Sequence, residues 1–388
     1  MRILGAVVLA ALLAGAGGAS TGLARAAGPT VTAIDLGVLG GTLSFATAVS
    51  PSGQVVGEST TAAGPIHAFS WTQAGGMVDL GTLGGSSSSA SDVNASGQVV
   101  GESDVLGGIH AFSWTSAGGM VDLGTLGGNF SFAEAVTPSG QVAGESTNAA
   151  GSLRAFLWTQ AGGMVDLGTL GGSGSSSRAV SPSGQVVGSS TIAGDLQVHA
   201  FSWTSAGGMV DLGTLGGDES DAIDVSPSGQ VVGDSTLVPG GGRFIPSHAF
   251  SWTQAGGMVD LGTLGGSGSQ AAAVSPSGQV VGTSQPAGDT GQHAFSWTQT
   301  GGMVDLGTLG GPFSAGNAVN ARGQVVGSAS LAGGLASHAF SWTRAGGMVD
   351  LGTIGGNHSE AVAVNARGDA VGDSDTAGGD THATLWHT

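Results

Sequence analysis

His67-Ala68-Phe69-Ser70-Trp71-Thr72 runs into Gln73-Ala74-Gly75-Gly76 and then into Met77-Val78-Asp79-Leu80-Gly81. Aromatic and small residues alternate in the first piece, as in a half-buried strand. The second piece is a glycine turn, and the third is a short apolar run ending on an aspartate. Upstream, Ala46-Thr47-Ala48-Val49 alternates again, Pro51-Ser52-Gly53 breaks it, and Gln54-Val55-Val56 is a further apolar run. The stretch therefore reads as four short strands, and it contains no apolar pattern at helical spacing.

The same block recurs along the chain. H-A-F-S-W-T or a variant carries all the tryptophans, Trp71, Trp114, Trp158, Trp203, Trp252, Trp297, Trp342 and Trp386, at intervals of 43, 44, 45, 49, 45, 45 and 44 residues. D-L-G-x-x-G-G begins at Asp35, Asp79, Asp122, Asp166, Asp211, Asp260, Asp305 and Asp350, and a G-Q-V-V-G element or a variant begins at Gly53, Gly97, Gly140, Gly184, Gly229, Gly278, Gly323 and Gly368. A period near 45 residues with four strands per unit is that of a propeller blade. The expected fold is all-β: an eight-bladed β-propeller with four antiparallel strands per blade, called a to d from the axis outward. The segment 31–37 matches a fourth strand, and the last unit stops after its third, 382–386. Pairing of these two ends would close the ring, whereas an open solenoid would need capping repeats. Small residues place the alanine-rich element innermost.

The sequence resembles the HAF-repeat family of bacterial extracellular proteins, named for the motif at His67-Ala68-Phe69, over essentially the whole chain after residue 26. The resemblance implies export and a repeat architecture, and it implies no activity or catalytic residue.

Composition agrees with many short strands and tight turns. The chain has 388 residues, 77 of them glycine, with 40% hydrophobic and only 9% charged residues. Arg2, the apolar run that follows and Ala24-Arg25-Ala26 read as a signal peptide, 1–26, leaving a single domain, 27–388. No later stretch is apolar enough to span a bilayer. There is no cysteine, so the core alone must stabilise the fold. All eight basic residues are arginine; without Arg2 and Arg25, 6 basic residues face 26 acidic ones, a net charge of 6 − 26, or −20. That balance argues against nucleic acid and anionic membranes as partners. A secreted monomer, extracellular or periplasmic, is the expectation.

His67 and Asp79, with their equivalents and the eight tryptophans, read as structural residues. A buried imidazole or indole needs a partner, and each D-L-G aspartate offers one, which suggests an intrablade network of His, Ser, Trp and Asp. A His–Ser–Asp triad or a histidine metal site is the competing reading, but eight near-identical copies spread around a ring do not form one asymmetric site. The third unit also carries Arg154 in place of the histidine. Gly84-Gly85 precedes no helix and reads as a turn rather than a phosphate cradle. Nothing calls for a cofactor.

The a–b turns (Ser50-Pro51-Ser52-Gly53, Asn94-Ala95-Ser96-Gly97, Thr137-Pro138-Ser139-Gly140) barely change, and neither do the c–d turns. The b–c and d–a connections vary. In an antiparallel blade these variable connections share one face, which becomes the candidate binding face. On it, the fifth unit has the longest b–c loop, Leu237 to Ser247, with Arg243 and Phe244. Its d–a segment carries Asp218, Glu219, Asp221 and Asp224, an oxygen-rich set considered for Ca²⁺ although it lacks calcium-loop spacing. An acid follows strand b in five units, at Glu58, Glu102, Glu145, Asp234 and Asp373, and suggests a partial carboxylate ring for a cation or a basic partner. Three roles compete: a non-enzymatic binding scaffold, a hydrolase or lyase acting on an extracellular polymer, and a purely structural envelope or biofilm component.

Overall fold

The computed structural model describes residues 31–240, 246–288 and 290–388. The signal-peptide expectation therefore falls outside the described residues. So do Arg243 and Phe244. Among the described residues every regular element is a strand, 32 in all.

Each repeat is one antiparallel four-stranded sheet. In the first unit the strands are a, Gly40–Val49; b, Val55–Thr61; c, Ile66–Thr72; and d, Gly76–Asp79. They are bonded in the order a-b-c-d. Strand a starts earlier than the alanine-rich core of the motif suggests. Its first residues run beside the c strand of the preceding unit, as Phe130 does with Ile109 and His358 with Ser337 in parallel bridges. The a strands are those that meet their counterparts in both neighbouring units, and Gly40–Val49 meets Gly355–Val364 as well as Ser88–Val93.

Two local devices recur. Ala46 and Ala48 are separated by a break in register that leaves Thr47 as a bulge, and every unit has the equivalent break. Strand b crosses close to it: a Cβ on Gly57 would sit 1.9 Å from the Phe45 carbonyl oxygen, so only glycine fits. The a–b turn needs a left-handed residue, supplied by Gly53 at φ 89°.

The core lies between sheets. Successive valines of strand b face opposite ways: Val55 packs with Val371, Ala383 and Leu385 of the eighth unit, and Val56 packs with Ala90, Val99 and Phe112 of the second. In strand c, Ala68 faces the next unit and Phe69 the previous one, so a small layer meets a bulky one at each seam. The bulk comes from phenylalanine more than from the tryptophans. Phe69, Phe112, Phe156, Phe201, Phe250, Phe295 and Phe340 are fully buried, whereas six of the tryptophans keep an exposed edge. In the eighth unit Thr384 replaces the phenylalanine, and there Trp386 is fully buried.

A serine at the start of the paired part of strand a ties the units together. Ser88 Oγ accepts the Ala68 N–H of the unit before it at 2.9 Å and donates to the Gly81 carbonyl at 2.6 Å. The same alanine-to-serine bond joins Ala111 to Ser131, Ala155 to Ser175, Ala200 to Ser220, Ala249 to Ser269, Ala294 to Ser314, Ala339 to Ser359, and Ala383 to Ser44 at 2.8 Å. The fourth strand of the last unit is Thr32–Asp35, antiparallel to Thr381–His387 with Thr32 opposite His387 and Asp35 opposite Thr384.

Candidate functional site

The repeated polar residues form two local pairs rather than the expected four-member network. His67 Nδ1 lies 2.9 Å from Asp79. Six further units repeat this pair, including His382 with Asp35, and Arg154 lies 3.8 Å from Asp166 in the third. The same aspartate accepts the Gly81 N–H at 2.7 Å and so shapes the D-L-G turn. Ser70 bonds instead to Gln54, at 2.8 Å. Trp386 Nε1 is buried without a partner, so the indole belongs to neither pair. Each His–Asp pair joins strands c and d of one unit at the outer edge of its sheet, where the pairs do not converge.

The four fifth-unit acids considered for Ca²⁺ are drawn apart. Asp218 accepts from Gln197 and from the Gly240 N–H, both at 2.8 Å. Asp224 is half-buried, accepting the Val225 N–H at 2.7 Å and the Val274 N–H of the next unit at 2.9 Å. Asp92 does the same between the second and third units, with Val93 and Val136. Burial raises the pKa of both aspartates, against the lowering effect of those N–H donors. Asp221 turns toward Arg178 at 3.9 Å, and Glu219 is exposed. Among the described residues no three His, Asp or Glu side chains converge as a metal site.

Two of the five strand-b acids face another acid on strand a. Glu58 stands opposite Phe45, Glu102 opposite Ser89, Glu145 opposite Phe132, Asp234 opposite Asp221, and Asp373 opposite Glu360. The bulge residues reach to the neighbouring a strand: Thr47 donates to the Ala90 carbonyl at 2.7 Å, and Asn317 to Glu360 at 2.7 Å. Glu134 and Arg178 occupy the same position in the third and fourth units. Sequence reading missed Glu134 and Arg178 because the unpaired bulge leaves no mark in the repeat, and missed Glu360 because its pairing with Asp373 depends on the a–b register. Burial, then the Glu134 and Glu58 carboxylates, push Glu102 up to about 7. Burial and Asp221 push Asp234 to about 6; burial, Glu360 and Asp375 do the same for Asp373. Glu134 is raised by burial and Glu145, with Arg178 opposing. Ser176 donates to Glu145.

Charge is divided between the two ends of the sheets. Among the described residues only one acid, Asp369, lies in an a–b or c–d turn, while Arg322, Arg344 and Arg367 all lie there. Burial alone would raise Asp369, but hydrogen bonds from Asn365, His387 and Arg367 hold it below the usual carboxylate range. The b–c/d–a end also carries exposed apolar side chains, among them Leu43, Leu106, Phe130, Leu196, Phe313 and Leu335. Three open clefts lie at this end between successive units. One of about 280 Å³ is lined by Asp221 and Asp234, one of about 380 Å³ by Gln270 and Gln285, and one of about 290 Å³ by Phe313 and His358. A cavity of about 430 Å³ at the opposite end is walled by repeat-invariant turn residues such as Thr115 and Gly118.

No protein-family model matches the chain, and no characterised protein matches it in sequence. Among solved structures it is similar to the β-propeller domain of the trilobed protease from Pyrococcus furiosus, at 9% identity over 89% of this chain and 95% of that one, TM-score 0.49. It is also similar to a puromycin hydrolase, at 14% identity over 89% and 59%, TM-score 0.48, and to TolB from Acinetobacter baumannii, at 11% identity over 76% and 79%, TM-score 0.38. At these identities the likenesses carry no assignment of activity. No helix of the described residues is long and apolar enough to cross a membrane.

Proposed function

We propose that this protein is an exported, non-enzymatic binding scaffold of the HAF-repeat type: a closed eight-bladed β-propeller that takes its ligand on the b–c/d–a face. The ring reading rests on the alanine-to-serine bond, which links each unit to the next and the eighth to the first in the same geometry. The binding reading rests on one observation above the others. The face whose loops vary is also the face that holds three clefts between units, many of the exposed apolar side chains and most of the acidic charge. A rigid repeat frame carrying diversified loops is the usual arrangement for recognition. The His–Asp pairs have the composition of hydrolytic machinery but not its geometry. Each aspartate is already committed to a turn N–H, and no serine hydroxyl joins the histidine.

The test is a panel of glycans and peptides offered to the purified chain, and to a variant whose b–c and d–a loops in units two to seven are replaced by the short loops of unit one. Saturable binding lost in a loop variant that melts like the parent is the expected result. Turnover of any panel member, or binding indifferent to the loops, contradicts the proposal.

A further inference from the structure

The b–c/d–a face is not uniform around the units. Phe45 and Phe132 stand on strand a directly opposite Glu58 and Glu145. The same place in the other units holds Ser89, Ser176, Asp221, Gln270, Ala315 and Glu360, so the fold does not require an aromatic there. Between these two rungs lies Glu102, which feels both Glu58 and Glu134; Glu134 in turn feels Glu145. Four carboxylates and two rings thus share one arc across units one to three, and the nearest cation is Arg178 at its far end, drawn toward Asp221. Outside the arc, Leu43, Leu106 and Phe130 stand exposed, Leu106 completely so at 104%.

We propose that this arc is a docking surface for an extended basic segment of a partner protein, its lysine or arginine side chains entering between Phe45 and Phe132 and its aliphatic side chains lying on Leu43, Leu106 and Phe130. An aromatic face beside a carboxylate attracts an organic cation twice, through the ring quadrupole and through the full charge. Crowded carboxylates cost free energy in the unbound chain, and a bound cation relieves that repulsion. Nucleic acid and anionic lipid would meet like charge. The acidic b–c/d–a end faces a turn end bearing Arg322, Arg344 and Arg367, so approach from the arc side is favoured by the field of the whole molecule. With no partner present a proton does part of the cation's work: burial and its acidic neighbours hold Glu102 near neutrality, so binding should release protons around pH 7.

This inference rests on the b–c/d–a face being the binding face, and the experiment separates the two. A short labelled peptide of alternating lysine and leucine is titrated into the purified chain at about 0.15 M salt, where long-range charge is screened. Alternating lysine and serine is the comparison peptide. Saturable binding of one lysine–leucine peptide is expected, weakened roughly tenfold or more by Glu102→Gln with Glu145→Gln and by Phe45→Ala. Arg344→Gln, at the opposite end, should leave it unchanged. Equal binding of the lysine–serine peptide, or no effect of the arc variants, overturns the arc. If binding survives those variants but is lost in Phe313→Ser with Leu335→Ser, the arc fails and the binding face stands. If no peptide binds saturably, or only turn-end variants matter, both fail.

Discussion

Glu102 shows how one side chain can make stability depend on pH in an unusual direction. Its ordinary value is 4.5, and burial followed by two neighbouring glutamates lifts it to about 7 in the folded chain. Between those values the folded chain keeps a proton that the unfolded chain has released. This contribution to stability is therefore complete below the unfolded value and is lost as pH rises through about 7. Asp234 and Asp373, lifted to about 6, act in the same sense. The unfolding midpoint should rise as pH falls from about 8 to about 5, and Glu102→Gln should flatten that rise and melt higher than the parent at pH 8. A midpoint that climbs with pH over this window, in parent and variant alike, would contradict the assignment. The five strand-b acids are legible in the sequence as a periodic position. The coupling of Glu102 and Glu145 to Glu134 is not, because Glu134 stands on a bulge that the repeat pattern hides.

At the scale of the element, strand c carries the seam between units. Alternation along His67 to Thr72 was readable from side-chain period alone, and so was the rule that a small layer meets a bulky one. Which bulky residue is buried was not readable. Tryptophan is the more conspicuous letter, but it stands at the end of the strand next to the c–d turn, where water reaches it. Phe250 lies two residues further in and is fully buried, while Trp252 keeps an exposed edge. Phe250→Ala should cost about 3–5 kcal/mol, and Trp252→Ala clearly less, in paired denaturant titrations. The reverse order would mean that the seam is packed differently. The intrablade network was misjudged for a related reason. Histidine and aspartate do pair, but the indole takes no part, and Gln54, just before strand b, takes the Ser70 hydroxyl that the histidine was expected to share.

For the whole molecule, the sequence period and the offset of the chain ends announce a strand exchange between N- and C-terminal segments, and Thr32–Asp35 does lie beside Thr381–His387. No residue pattern foretold how the last unit would complete its seam with the first. Asn365 donates to the Ser50 carbonyl of the first unit at 3.2 Å, and within the last unit His387 lies 2.8 Å from Asp369, which stands where other units carry glutamine. The acidic set of the fifth unit is likewise decided at this scale. Asp218, Glu219, Asp221 and Asp224 are close in sequence, but strand alternation sends them to different neighbours: a loop amide, solvent, Arg178 and the next unit's backbone. The account as a whole depends on the eight units forming a circle rather than a line. Because the chain has no cysteine, Thr32→Cys with His387→Cys supplies a clean probe: paired residues on adjacent antiparallel strands lie about 4.5–5.5 Å apart at Cα, within disulfide reach. Oxidation of the dilute double variant should give an intramolecular bond in nearly every monomer, seen as a mobility shift reversed by reductant. Free thiols, or bonds formed only between chains, would show that the ends do not meet.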